Sequence, residues 1–430
     1  MKKILYVILD GLGDRPLAEL SGKTPLEFAA TPNLDRLAAA GRQGTVITVG
    51  KGIAPESDVA VMAILGYDPL RYHAGRGPLE AMGAGLKFGD GDLALRGNFA
   101  TVGEGWTIVD RRVGRNLESA EAHQLAEAVN REVKLTEAPA TAVVQATTGH
   151  RCVVVIYPRE GKLSAKISNT DPAYAKVEGL GVARADAGNE VEECAPLDDT
   201  PEAWTAAELV NEFSRKSRQV LDAHPVNQRR RQMGRMAANL ILLRDAGDHL
   251  PQAPSIRERF GVEFGCFVEM PVELGIAKLL GMVLIEVPPS AGDREGAYRE
   301  WARRAAEELP RHGGLYLHLK GPDEPGHDGD HEAKRDIIAL IDRIFFGELL
   351  PKIHLADTIV AVTADHATPC ALKGHSADPV PLLVSGGGIA PDGTKMFGER
   401  EAERGDLGLL FGVDIMPLLA KLARTSPFAT

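Results

Sequence analysis

Four short, almost wholly apolar runs constrain this chain more than any other feature. Ile4–Leu9, Leu315–Leu319, Thr358–Thr363 and Pro381–Ser385 lack the polar alternation of a half-exposed strand. They read as fully buried strands, as a parallel sheet covered on both faces requires. Helical patterns lie between them. Pro32–Ala40 follows Thr31, which suits an N-cap, with Pro32 at the first helical position. Ala333–Phe346 sets Ile337, Leu340, Ile341 and Ile344 on one stripe. Buried strands alternating with amphipathic helices predict a doubly wound α/β core.

The middle of the chain follows another pattern. Glycine-rich segments and strand-like runs, Thr141–Gln145 and Cys152–Tyr157, surround one long helix candidate, Pro201–Ala223. Val210, Phe213, Ser217, Val220 and Leu221 give that helix a largely apolar face. At 430 residues the chain exceeds what one core usually supports. The expected organisation is a discontinuous core, residues 1–76 and 255–430, interrupted by a smaller α/β or α+β domain, residues 77–254.

Composition narrows the function classes. The net charge of −11 counts against nucleic acid as the main partner. No apolar stretch approaches the roughly 20 residues that span a bilayer, which counts against a membrane. The apolar run after Lys3 is ended by Asp10, too soon for a signal peptide. Cys152, Cys194, Cys266 and Cys370 lie far apart, which suits a reducing cytoplasm better than a disulfide framework.

Acidic and imidazole residues recur where the buried strands end. Ile4–Leu9 ends in Asp10, and Thr358–Thr363 leads to Asp365-His366, with His375 nine residues on. Leu315–Leu319 leads to Lys320 and then Asp323 and His327. In open α/β sheets ligands bind beyond the carboxyl ends of strands, so three strands would deliver this chemistry to one edge. Any one of these residues alone is better read as a helix cap or turn residue. Together, carboxylates and imidazoles without cysteine suit Mn²⁺, Zn²⁺ or Mg²⁺. Six such donors exceed what one open metal site needs and suit two ions sharing a substrate oxygen. Asp328, Asp330 and His331 read as solvated or supporting groups. Ser57 precedes a predicted helix, Asp58–Leu65, whose N–H groups and dipole favour a phosphate. On local sequence alone, a simple cap is the plainer role for Ser57.

Longer blocks carry a family resemblance. They include ILDGLGDRP (8–16), GKTPLEFAATPNLDRLA (22–38), SDVAVMAILGYDP (57–69), GRGPLEAMGAG (75–85), ISNTDPAY (167–174), GPDEPGHDGD (321–330), TADHATPC (363–370) and HSADPVPLLVSG (375–386). They resemble the archaeal-type, cofactor-independent phosphoglycerate mutases of the alkaline phosphatase superfamily, over nearly the whole chain. The resemblance implies a cytoplasmic enzyme with two divalent ions per chain, Mn²⁺ foremost, with Zn²⁺, Mg²⁺ or Co²⁺ as alternatives. Asp323, His327 and His375 would hold one ion; Asp10, Ser57, Asp365 and His366 would hold the other. Ser57 would become phosphoserine during interconversion of 3-phosphoglycerate and 2-phosphoglycerate. A related phosphatase or homoserine-kinase-like phosphotransferase is the alternative. The inserted domain would close over the core, exclude water and bind the substrate's carboxylate and phosphate. Arg244, Arg111, Arg112, His150 and Arg151 are the candidate cations, whereas Arg229–Arg231 reads as a solvated loop. The family pattern LRGAG is LRDAG here, which sets Asp245 beside Arg244.

Overall fold

The computed structural model describes residues 1–72, 75–177, 180–184 and 188–424. The chain separates into two compact units. The first comprises Met1–Tyr72, Ala253–Glu269 and Ala277–Thr430; the second comprises His73–Gln252 and Met270–Ile276. The second unit therefore holds residues 270–276, which the sequence reading had assigned to the core.

Strands β1 (Lys3–Leu9) and β2 (Gly41–Ile47) belong to the first unit. Strands β3 (Leu93–Val102), β4 (Ile108–Asp110), β5 (Ala140–Ala146), β6 (Arg151–Pro158), β7 (Tyr174–Val177), β8 (Leu180–Ala183) and β9 (Leu240–Gly247) belong to the second. The first unit resumes with β10 (Phe264–Phe267), β11 (Val283–Leu284), β12 (Gly314–Leu319), β13 (Thr358–Thr363), β14 (Val380–Gly386) and β15 (Gly408–Phe411).

The first unit is built on an eight-stranded sheet of order β11-β10-β12-β1-β13-β14-β2-β15. Strand β1 is central and parallel to both β12 and β13. Its residues Ile4–Leu9 are fully buried, each large apolar side chain contributing about 1.5–3 kcal/mol. The sheet is mixed: β14 runs antiparallel to β13 and β2. The apolar run 381–385 is buried as expected, but a run buried on both faces carries no mark of strand direction. Register sets the functional edge. Ile8 stands opposite both His318 and Thr363, so all three strands finish level, and Asp10 N donates to Leu319 O.

Two helices depart from the sequence reading in instructive ways. Pro32–Ala39 begins with proline as expected, but the Thr31 side chain makes no capping bond. Asp342 caps the helix instead, accepting from Leu34 N at 2.8 Å and Asn33 N at 3.2 Å. The second departure supplies that aspartate. The expected continuous helix 333–346 is an α-helix, His331–Leu340, followed by a π-helical turn, Ile341–Phe346. The buried line runs through Lys334, Ile338, Ile341, Asp342 and Phe345, with Ile344 buried as expected, and Ile337 and Leu340 are half-buried.

The second unit is α+β. Its main sheet is antiparallel, with order β4-β3-β6-β5 and β9 paired to β3. The helix Pro201–Ala223 buries Val210, Phe213, Ser217 and Leu221 in that unit's core, with Val220 packed at its margin. The Thr200 side chain caps it.

Candidate metal centre

Asp10 leaves β1 through a turn that only glycine fits. Gly11 has φ +62, and a Cβ there would lie 2.7 Å from Asp323 Oδ1. That turn lets Gly11 N donate to Asp365 Oδ1 at 3.1 Å. Beyond β12, residues Asp323–Asp328 form a short helix that includes Pro325. Proline is tolerated in a helix's first turn. The helix places Asp323 and His327 one turn apart on one face, with His327 Nε2 3.5 Å from Asp323 Oδ2. His375 Nε2 lies 3.6 Å from Asp323 Oδ1. Beside this trio, His366 Nε2 is 3.2 Å from Asp365 Oδ2 and 3.6 Å from Asp10 Oδ1. The His366 and His375 rings stack at 3.7 Å between centroids.

Ser57 is the first residue of the helix Ser57–Ile64, with Glu56 at the N-cap, so it does not serve as the cap. Its Oγ lies 3.4 Å from His366 Nε2. Tyr6 Oη donates to Ile64 O at 3.1 Å and ties the helix's far end to β1.

The hydrogen bonds assign the imidazole tautomers. His375 Nδ1 faces Pro55 O at 2.8 Å, and His327 Nδ1 faces Lys373 O at 3.2 Å. A carbonyl only accepts, so both Nδ1 atoms carry hydrogen. His366 Nδ1 lies 3.1 Å from Thr368 Oγ1, which itself donates to Asp323 Oδ1 at 2.6 Å. All three Nε2 lone pairs therefore face carboxylate oxygens. Asp10 Oδ1 and Asp365 Oδ2 are buried and accept no hydrogen bond. Lone pairs turned on one another repel unless a cation lies between them. Donor atoms 3.2–3.6 Å apart match a tetrahedron edge of about 3.4 Å around an ion with ~2.1 Å bonds. The donor set thus fits divalent cations. In the absence of an ion a proton can hold the same place: burial lowers the His375 imidazole, but a hydrogen bond to Asp323 and that carboxylate's charge outweigh it and raise it to about 9.

Sequence reasoning missed three members of this cluster. His318, fully buried on β12, lies 3.7 Å from Asp10 Oδ1 and 3.6 Å from Asp365 Oδ2. Lys320 Nζ is 3.0 Å from Asp10 Oδ2. His318 and Lys320 alternate along a strand end, a period-two signal hidden by the apolar run around it. Thr368 is the third. Asp330 caps the following helix through Ala333 N.

The candidate cations of the second unit differ among themselves. Arg244 is buried, with its guanidinium 3.4 Å from the Tyr174 ring centroid and 3.7 Å from Asp245 Oδ2. Asp245 has φ +55, which accounts for glycine in the family pattern at that position and for an aspartate as a tolerated replacement. Arg111 is engaged by Asp171 at 3.0 Å and Gly188 O at 2.6 Å. Burial, then the charges of Arg151, Arg112, Arg96 and Arg115, push His150 down to about 3. These residues form a basic cluster around a neutral imidazole. Arg96, missed in the sequence, is buried beside Glu80 with Arg76. The run 229–231 is helical rather than a loop, and Arg230 is buried against Glu121 at 2.6 Å.

Fold and site together define a class: α/β proteins with a carboxylate–imidazole centre at the carboxyl edge of a sheet, beside a serine that opens a helix. The family model for 2,3-bisphosphoglycerate-independent phosphoglycerate mutase matches residues 38–227. A protein of that name from Aeropyrum pernix is 46% identical, covering 95% of this chain and 96% of its own length. One from Thermococcus kodakarensis is 39% identical, covering 99% and 98%. Among solved structures, the PH0037 protein from Pyrococcus horikoshii gives a TM-score of 0.80 at 32% identity, covering 100% of this chain and 99% of that one. The cofactor-independent phosphoglycerate mutase from Thermoplasma acidophilum gives 0.64 at 32%, covering 98% and 100%. The chain belongs to the 2,3-bisphosphoglycerate-independent phosphoglycerate mutase family. Among the described residues no helix is long and apolar enough to cross a membrane, and all four cysteines are buried.

Proposed function

We propose that this chain interconverts 3-phosphoglycerate and 2-phosphoglycerate in the cytoplasm, through phosphoserine at Ser57, at a centre holding two divalent ions. The observation that carries the reading is Ser57 Oγ, 3.4 Å from His366 Nε2, among seven carboxylate and imidazole donors, His318 included. Asp323, His327 and His375 would hold one ion; Asp10, Asp365, His366 and Ser57 would hold the other. Ions bound there would neutralise the carboxylates, lower the serine's pKa and offset charge on the transferring phosphoryl group; Mn²⁺ is the expected metal.

The chain's own groups do the rest. Ser57 Oγ bonds to phosphorus as the ester bond to the glycerate oxygen breaks, and the serine's proton ends on the released hydroxyl. Attack by the other glycerate hydroxyl reverses the exchange and restores Ser57. N–H groups of the helix Ser57–Ile64 favour the phosphoryl group at this position. The Lys320 ammonium, beside Asp10, adds positive charge. Arg244 and the basic cluster around His150 are assigned to the substrate's carboxylate and phosphate, with Arg111 more constrained by Asp171.

The test is an enolase-coupled assay of the purified protein with Mn²⁺ and 3-phosphoglycerate, without bisphosphoglycerate. Steady product formation is expected. Phosphate release from simple esters without mutase turnover would instead support the phosphatase alternative.

A further inference from the structure

We propose that the Thr368 hydroxyl is a positioning group that couples the two metal sites, so that filling one prepares the other. The inference rests on the ligand assignment above. The hydroxyl touches a ligand of each site: Asp323 Oδ1 at 2.6 Å and His366 Nδ1 at 3.1 Å.

A hydroxyl has one proton to give. Given to Asp323, it leaves the oxygen to accept from His366 Nδ1–H, and the His366 Nε2 lone pair then faces Asp10, Asp365 and Ser57. Given to His366, it would force hydrogen onto Nε2 and take a bond from Asp323. Only the first arrangement presents both ligands to cations. An ion at either site favours that arrangement, which holds the other site's ligand in place. Such outer partners orient metal ligands and tune their affinity. Coupling of this kind is reciprocal.

The surroundings leave Thr368 little freedom. Lys334, fully buried, donates to Thr368 O at 2.9 Å, Gly13 O at 3.1 Å and Asp14 Oδ2 at 2.9 Å. Thr368 N donates to Gly13 O at 3.0 Å. On the other side Gly326 packs so closely that a Cβ there would lie 2.5 Å from Thr368 O. The ammonium uses all three donors on backbone and aspartate, so the hydroxyl is left to serve the two ligands.

The experiment is calorimetric titration of metal-free protein with Mn²⁺, with bound ions counted by electron paramagnetic resonance. It compares wild type, Thr368→Val and Thr368→Ser, each alone and with His327→Ala to disable the first site. The wild type is expected to bind two ions, and Thr368→Val to lose about tenfold or more at each site. His327→Ala should weaken the remaining site in the wild type and have about tenfold less effect on it in Thr368→Val. Thr368→Ser should restore both affinity and coupling. A wild type that binds no Mn²⁺ overturns the ligand assignment itself. Two ions in the wild type with unchanged binding in Thr368→Val, or a loss confined to one site, overturns the coupling alone. Should Thr368→Val fail to fold, nitrogen-15 NMR of histidine-labelled Asp10→Ala protein, read metal-free and with Zn²⁺ at the first site, decides: a rise in the fraction of His366 carrying hydrogen on Nδ1 as that site fills supports the proposal, and an unchanged fraction overturns it.

Discussion

Ser57 shows how little one residue says alone. Its local sequence suits a helix cap, yet it stands one position inside the helix with Oγ turned to His366. As the proposed nucleophile it has no substitute nearby, so Ser57→Ala should lower kcat by about 10⁴-fold or more. An ion at the candidate site of Asp323, His327 and His375 should remain, because that trio does not include the serine. Coupled assay and metal analysis check both parts; appreciable turnover by the variant would rule out phosphoserine. The six donors were legible because each follows a buried strand, where an acid or imidazole stands out. His318, Lys320 and Thr368 were not. Each acts through partners more than forty residues away or through strand register, which no local pattern encodes. Arg230 is the opposite error. It looked solvated because its neighbours are basic, but its guanidinium is buried by Glu121, more than a hundred positions earlier in the chain.

Elements were read well where period and burial agree, and less well where a distant residue does a local job. The helix Pro201–Ala223 has the expected limits because Thr200, Pro201 and its apolar face all lie within one segment. The helix Pro32–Ala39 takes its cap from Asp342, in a π-helical turn three hundred residues later. Asp342 is buried there, with Asn33 and Leu34 as donors. Asp342→Ala should cost about 1–2 kcal/mol, as other cap deletions do. In a unit of this size that is a fall in Tm of roughly 2–8 °C. Asp342→Asn keeps one acceptor oxygen and should lose less. Thermal unfolding of the metal-free proteins measures this, and equal Tm values for wild type and Asp342→Ala would remove the cap from the account of the helix. Strand β14 makes a related point: its burial was legible and its direction was not, since direction belongs to the pairing.

At the scale of the molecule, the change of pattern along the sequence predicts two domains, and the chain separates into two compact units. Residues 270–276 join the second unit through glycines that bring backbones together. A Cβ on Gly275 would lie 1.8 Å from Leu79 O, and one on Gly83 would lie 1.7 Å from Pro271 O. Hydropathy cannot show such a contact, because it depends on absent side chains. The division matters for metal removal. Every candidate ligand belongs to the first unit. Without cations, Asp10 Oδ1 and Asp365 Oδ2 stay buried without hydrogen bonds, so metal binding should stabilise the first unit and leave the second unit's sheet largely unaffected. Exhaustive treatment with EDTA should abolish mutase activity, and Mn²⁺ should restore it. At a free metal concentration 100 times Kd, each site adds about 2.7 kcal/mol to the folded state. Hydrogen exchange read by mass spectrometry locates the effect. Removing metal should speed exchange in 10–14, 321–330 and 364–377, which carry or adjoin the ligands, and leave β3, β5 and β6 unchanged. Full activity in demetallated protein would contradict a metal-dependent reaction. Exchange that quickened equally in both units would mean that the ions stabilise more than the first unit alone, and that the two units unfold together.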